Sequence, residues 1–458
     1  MARKPVVVVG LARSGVAAAL FLASRGEAVV ATDRKGEGEL QEEVVKLKAA
    51  GVTLELGGHS ADTFVRASRI VVSPGVPWAL PELEAARRAG VPVRAEIELA
   101  YEHLLGTVAA VTGTKGKSTT TAALGAMLKE AGLDARVGGN IGEALTSLVA
   151  GSTEKTVFAV EVSSFQLEGI HSFRPRVAVF LNLSADHLDR HPTFEDYKRA
   201  KARVFENQTA EDFAVVNAED PLVLVIARKG RARVVPFYPS SIPSGDGAFF
   251  EGGLARLRFS GKEETLFARR EVILPGEHLA GDLLAAAAAA RLLGAPPSAI
   301  ARALSAFRGV EHVLEHVATI AGVAFYNDTK ATNVEASRRS LEAFSRPLLV
   351  ILGGRYKGGD FASLAPALRA HGKAVLAIGE AQERISQSLS AVVPVERCPT
   401  LRSAVERARD LASAGDVVLL APACSSFDMF KDYADRGRQF KEEVLRLKAP
   451  TARTLEDG

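Results

Sequence analysis

Residues Val111 to Leu124 read VTGTKGKSTTTAAL, where two glycines and two lysines precede a run of hydroxyls and an alanine/leucine stretch of helix-forming character. Between a strand and a helix, such a turn aims backbone N–H groups and the positive end of the helix dipole at phosphate oxygens. The cradle is then Gly113, Thr114, Lys115, Gly116, Lys117, Ser118 and Thr119. Lys117 reaches the β- and γ-phosphates as a point charge, and the Ser118 hydroxyl is a ligand for Mg2+. The spacing is shorter than the strict P-loop, because Val111 stands where that motif has its first glycine.

A second string, VVVVGLARSG, is followed by a helix-like stretch and by Asp33 at the end of AVVATD. It is similar to a dinucleotide fingerprint in which Ala12 replaces the middle glycine. Two readings stand. One is a plain βαβ unit; in the other, a helix N-terminus and Ser14 hold a diphosphate while Asp33 or Arg34 touches a sugar or base. An NAD-dependent oxidoreductase rests on this string and leaves Lys117 and Ser118 without a role. A nucleotide-binding switch or scaffold would need no amino-acid substrate.

These motifs need elements to position them. Apolar β-branched runs alternate with helix-like stretches along the chain, which predicts α/β architecture with doubly wound, mostly parallel sheets. The pattern restarts twice, so three domains are expected at residues 1–95, 96–307 and 308–458. The turn-rich FYPSSIPSGDGAFFEGGLARLRF predicts a small antiparallel excursion in the middle domain. At 458 residues, 47% hydrophobic and 24% charged, the chain has ordinary globular composition.

Lysine plus arginine (57) barely exceeds aspartate plus glutamate (54), with no basic block interleaved with aromatics, so no nucleic-acid partner is expected. Cys398 and Cys424 have no metal-ligand or CxxC spacing and read as reduced thiols of a cytoplasmic protein. The start MARKPVVVVGLARSG is too short in apolar residues for a signal peptide, and no run reaches the roughly 18 needed for a membrane span. A soluble monomer is expected.

GGNIG, EVSSFQLE and LNLSADHLDRH, with the loop at Val111–Leu124, resemble the ATP-dependent Mur ligase superfamily of amide-forming enzymes over essentially the whole chain. NDTKATN, LGGRYKGGDF and APACSSFDMFKDYADRGRQF resemble its D-glutamate-adding members. The resemblance implies an N-terminal Rossmann-like domain, a central P-loop ATPase-type domain and a C-terminal Rossmann-like domain. It implies ATP, two Mg2+ ions, UDP-N-acetylmuramoyl-L-alanine and D-glutamate, joined through an acyl phosphate during peptidoglycan precursor synthesis. Relatives that add other amino acids, or that polyglutamylate folate, share the central domain.

Carried onto this sequence, Lys117, Glu161, His187, Lys201 and Lys330 become the catalytic set. Glu161 and His187 join Ser118 as metal ligands, Asp186 holds metal directly or through water, and Lys201 is carbamylated to give an anionic oxygen ligand. Asn140 and Ser163 to Gln166 face the muramoyl-alanine end, Gly75 meets the substrate from the first domain, and Arg13, Ser14, Asp33 and Arg34 take the UDP end. Asp328 holds the ribose or metal shell; Lys330 and Thr332 meet the D-glutamate α-carboxylate; Lys357, Ser426 and Phe427 meet the rest of that amino acid. Asp189 reads as a turn former.

Two strings depart from the family pattern. GEHLAGD keeps His278, but Leu279 and Asp282 stand where the family has the asparagines that meet adenine. EHVLEH has Val313 in place of an arginine that serves the nucleotide phosphates, with Arg308 the nearest substitute in sequence.

Overall fold

The computed structural model describes residues 4–448 apart from 188–189, 273 and 275–276, and omits the side chains of 277 and 278. Asp189 and the His278 side chain therefore lie outside the described residues. The chain divides into two compact units, Met1–Val272 with Ala280–Ala306, and Ile273–Leu279 with Phe307–Gly458.

The first unit holds two sheets. In the first, β1 (Val6–Val9), β2 (Val29–Asp33), β3 (Thr53–Leu56), β4 (Arg69–Val72) and β5 (Val93–Ala95) lie in the order β3-β2-β1-β4-β5. All pairings are parallel. The four valines of β1 are buried, as a central strand covered on both faces requires. The order reverses beside β1, so the topological switch point falls at its carboxyl end, next to GLARSG. Gly15 opens the following helix, Arg13–Ser24, and a Cβ there would strike the Gly10 carbonyl and Ser73 Oγ.

The second sheet comprises β6 (Thr107–Thr112), β7 (Ala135–Gly139), β8 (Val157–Glu161), β9 (Val177–Phe180), β10 (Phe213–Asn217), β11 (Arg233–Tyr238), β12 (Gly247–Glu251), β13 (Leu254–Phe259) and β14 (Lys262–Ala268). Its order is β14-β13-β12-β11-β10-β9-β6-β8-β7. The strands from β7 to β12 in that order pair in parallel, whereas β12, β13 and β14 form antiparallel hairpins where turn residues cluster. Phe158, Phe173 and Phe180 are buried in the core beneath this sheet, each contributing about 2–3 kcal/mol through apolar burial. Alanines 285–290 lie in the buried helix Glu277–Leu292. Among the described residues no helix is long and apolar enough to cross a membrane.

The two sheets of this unit are fastened together by polar contacts. Ala95 N donates to Gly169 O, and the buried Glu98 carboxylate accepts the backbone N–H groups of His171, Ser172 and Phe173. The restart of the strand pattern near residue 95 thus separates two sheets within one compact body.

The second unit carries β15 (Glu315–Ile320), β16 (Val323–Asn327), β17 (Leu348–Gly353), β18 (Gly372–Ile378), β19 (Val395–Arg397) and β20 (Val417–Leu420), in the order β15-β16-β20-β17-β18-β19. Only β15 runs antiparallel to its neighbour. Both cysteines are buried and unbridged.

Candidate active site

The phosphate loop leaves the end of β6 and enters the helix Lys117–Glu130. Gly116 caps that helix with φ +83°, a left-handed conformation that favours glycine, and a Cβ there would press on the Asp282 carboxylate. Lys117 Nζ folds back to donate to the carbonyls of Gly113 and Thr114, each at 3.0 Å. Thr114 Oγ1 lies 3.2 Å from both Ser184 O and Tyr197 Oη, and Lys115 Nζ pairs with Asp186 Oδ2 at 3.3 Å. The loop is thus pinned from its back, with its helix N-terminus formed as phosphate binding requires. Asp282 is a loop-packing residue here: burial raises its carboxyl to about 7, with Lys117 opposing.

Glu161 ends β8 at the carboxyl edge of the parallel strands. Its Oε2 accepts from Ser118 Oγ and its Oε1 from Asn140 Nδ2, both at 2.7 Å. A hydroxyl and a carboxylate side by side form a hard oxygen donor set that fits Mg2+. Among the described residues no group of three or more His, Cys, Asp or Glu side chains converges on a metal position. A cation held at Ser118 and Glu161 would have only these two protein ligands among the described residues, a number that suits Mg2+, which keeps several waters.

Lys201 lies on the helix Phe194–Ala202 and is only 2% exposed. Its Nζ donates to Gly113 O at 2.8 Å and Thr112 Oγ1 at 3.3 Å, and lies 5.0 Å from the Tyr197 ring centroid. Burial and then the Lys117 charge hold its pKa well below the usual lysine value, against Asp186 and Glu161. Lys117 and Lys201 donate to the same Gly113 carbonyl. Two like charges on one carbonyl repel, so burial and Lys117 both disfavour the charged form of Lys201.

His187 has φ +54° and is exposed, its ring edge-on to Phe165 at 5.1 Å and 6.3 Å from Tyr197. Asp186 accepts from the His187 N–H at 3.0 Å; although burial opposes, Lys115 and His187 hold its carboxyl below the usual range. Phe165 also stacks on His191, whose Nε2 meets Ser164 Oγ at 2.9 Å. Ser163 caps its helix reciprocally with Gln166, which binds the Ser163 hydroxyl inside the fold.

In the first sheet, a cleft of about 490 Å³ opens beside Leu11, Asp33, Arg34, Lys35, His59 and Gly75. Asp33 accepts from the N–H groups of Leu11 (2.6 Å) and Lys35 (2.9 Å), so it shapes the cleft wall. Ser14 is buried at the helix start, and Arg13 reaches across to Asn140 O at 3.3 Å. Arg34 lines the cleft; Arg13 and Ser14 do not.

In the second unit the Asn327–Asn333 segment leaves β16. Asp328 accepts from Leu314 N at 3.3 Å and from Ser340 Oγ, and burial raises its carboxyl to about 6. Lys330 and Lys357 are exposed, Thr332 is half-buried, Ser426 is buried and Phe427 is 62% exposed. Beneath them sits Arg436, 0% exposed, donating to Thr329 Oγ1 (2.9 Å), Thr329 O (3.1 Å), Cys424 O (3.2 Å) and Gly353 O (3.4 Å). One guanidinium thus ties the loops after β16, β17 and β20, where open α/β sheets bind ligands. Burial lowers its pKa to about 10. Val313 is half-buried in a turn whose N–H donates to Val310 O, and Arg308 is exposed.

Sequence reasoning missed Tyr197, Arg190, His191 and the central role of Arg436. Tyr197 carried a signal, standing one helical turn before Lys201 and therefore on its face. The others acquire meaning only from distant carbonyls and rings.

A phosphate loop facing a strand-end carboxylate, with α/β sheets on either side in sequence, defines a nucleotide-binding α/β protein. The chain belongs to the Mur ligase family. The family descriptions "Mur ligase MurD-like, N-terminal domain", "Mur ligase middle domain" and "Mur ligase, glutamate ligase domain" match residues 4–95, 111–290 and 312–424. It is 45% identical to the UDP-N-acetylmuramoylalanine–D-glutamate ligase of Geotalea daltonii, over 97% of this chain and 98% of that one. The protein of the same name from Acidobacterium capsulatum is also 45% identical, over 98% of both chains. The solved UDP-N-acetylmuramate-alanine ligase of Thermotoga maritima shares the fold with a TM-score of 0.60 at 22% identity, covering 97% of this chain and 100% of the other.

Proposed function

We propose that this protein joins D-glutamate to UDP-N-acetylmuramoyl-L-alanine in an ATP-dependent reaction, in the cytoplasm and as a monomer. The observation that carries this reading is the convergence on the phosphate loop: Ser118 and Asn140 meet on Glu161 while Lys117 and Lys201 meet on Gly113 O. The substrate carboxylate attacks the γ-phosphorus and ADP leaves, giving an acyl phosphate. The neutral amine of D-glutamate then attacks the acyl carbon, its extra proton passes to water, and phosphate departs from the tetrahedral intermediate as the amide forms. Lys117 and the loop N–H groups hold the phosphates where charge shifts between oxygens.

Ser118 and Glu161 would hold one Mg2+, and His187 with a carbamylated Lys201 a second; bound there, the ions would supply neutralisation of phosphate charge. Lys201 suits carbamylation because a neutral amine can attack the carbon of CO2, forming a C–N bond and releasing a proton to water. Asn140 orients Glu161 and faces the muramoyl-alanine end with Ser163, while Arg34 and Gly75 line the cleft for the UDP end. Asp33 shapes that cleft, and Arg13 braces Asn140. In the second unit Lys330, Thr332, Lys357, Ser426 and Phe427 take D-glutamate, with Asp328 fixing the segment that presents Lys330.

The test is release of ADP from ATP with each substrate omitted in turn. Turnover that needs both UDP-N-acetylmuramoyl-L-alanine and D-glutamate is the expected result. Equal turnover with another amino acid, or none without NAD, overturns the reading.

A further inference from the structure

Arg190 joins two places that the ligase reading keeps apart. Its guanidinium donates to three consecutive carbonyls of the loop after β4: Pro74 at 3.5 Å, Gly75 at 3.1 Å and Val76 at 3.1 Å. Gly75 and Val76 line the cleft of the first sheet. The next residue back, Ser73, donates to Gly10 O at 2.7 Å, so the loop is also tied to the turn after β1. At its other end the Arg190 N–H donates to His187 O at 3.0 Å. The guanidinium carbon lies 4.6 Å from the Phe165 ring centroid, and His187 packs edge-on against the same ring.

We infer that Arg190 is a positioning residue that couples occupancy of the first cleft to the placement of His187 beside the phosphate loop. A ligand that presses on Gly75 and Val76 moves or fixes three carbonyls at once, and a planar fork of donors transmits that shift more faithfully than a flexible ammonium. The Arg190 N–H donates to His187 O and both side chains pack on the Phe165 ring, so the shift arrives at His187. Binding at the two places is then interdependent, and by linkage the dependence is reciprocal.

This rests on the ligase reading, which supplies the ligands, but its test is separate from turnover. Titration calorimetry measures the affinity for UDP-N-acetylmuramoyl-L-alanine with and without a non-hydrolysable ATP analogue and Mg2+. Coupling of about tenfold or more is expected in the unaltered protein. In Arg190→Ala it falls to near unity, whereas the affinity for the analogue alone stays within about threefold. Arg190→Lys, which keeps the charge but cannot span three carbonyls, also loses the coupling. Phe165→Leu keeps the hydrogen bonds while removing the ring and loses part of it.

Absence of coupling in the unaltered protein, full coupling in Arg190→Ala, or full rescue by lysine each overturns the inference. If Arg190→Ala fails to fold, Phe165→Leu and Arg190→Lys decide it. Failure of the ligase reading shows instead as turnover without D-glutamate, whatever Arg190 does.

Discussion

The phosphate-loop region and the Asn327–Asn333 region use polar residues in opposite ways. Around the phosphate loop Glu161 and Lys201 are buried, and polar groups close on them: the half-buried Ser118 and the exposed Asn140 donate to Glu161, and Lys201 donates to the Gly113 carbonyl. In the second unit Lys330 and Lys357 are exposed, and the loops that carry them are tied by Arg436. In the first arrangement burial disfavours the charged form of Lys201, and in the second the lysines stand in solvent. Chemistry that depends on a neutral amine or a metal-binding carboxylate needs the former; capture of a charged amino acid needs only the latter.

That contrast can be broken. Lys201→Ala removes the buried amine, and turnover should fall about a thousandfold, some 4 kcal/mol of transition-state stabilisation, with partial return on adding formate or acetate. Full activity in the plain variant would remove Lys201 from the chemistry. Arg436→Met leaves the carbonyls of Thr329, Cys424 and Gly353 without their donor, and should cost the second unit about 3 kcal/mol in denaturant unfolding. The phosphate-loop unit should unfold as before, and a uniform loss would show that the guanidinium frame is not local.

Lys357→Ala should raise the KM for D-glutamate about tenfold to a hundredfold, with kcat less affected, because an exposed ammonium supplies one charge-assisted contact. A pure kcat effect would move Lys357 into the chemistry. The smallest expected effect concerns pH. Burial raises Asp282 to about 7 in the folded chain, above its ordinary value, so the folded state binds the proton more tightly than the unfolded state. Its contribution is therefore complete below the ordinary carboxylate range and is lost as pH rises toward 7. Asp282→Asn should flatten that dependence and raise stability at pH 8, read as a higher Tm there than the unaltered protein has. An unchanged pH profile would show that the carboxyl relaxes into solvent.

Much of this was legible in the residues. The strand–turn–helix of the phosphate loop follows from four local facts: a β-branched run, two glycines, two lysines and an alanine-rich helix, all contiguous. The parallel sheets follow from apolar runs without alternation, and the hairpins of β12 to β14 from their turn residues. Ser118 and Glu161 were named as metal ligands and stand in contact. Less legible were Asp33, which fits a ribose-binding pattern but accepts Leu11 and Lys35 N–H groups, and Arg13, which turns away from the cleft to Asn140. A side chain's direction depends on the packing of its helix, and spacing alone does not encode it.

By itself the sequence determined the element types and the phosphate-loop motif, because each depends on residues close together in the chain. Only the tertiary structure decided that Lys201 is buried beside Lys117, that two sheets form one compact unit, and that Arg190 and Arg436 each bind several backbone carbonyls. Those outcomes rest on desolvation and on contacts between residues far apart in sequence, and both exist only once the chain has closed on itself.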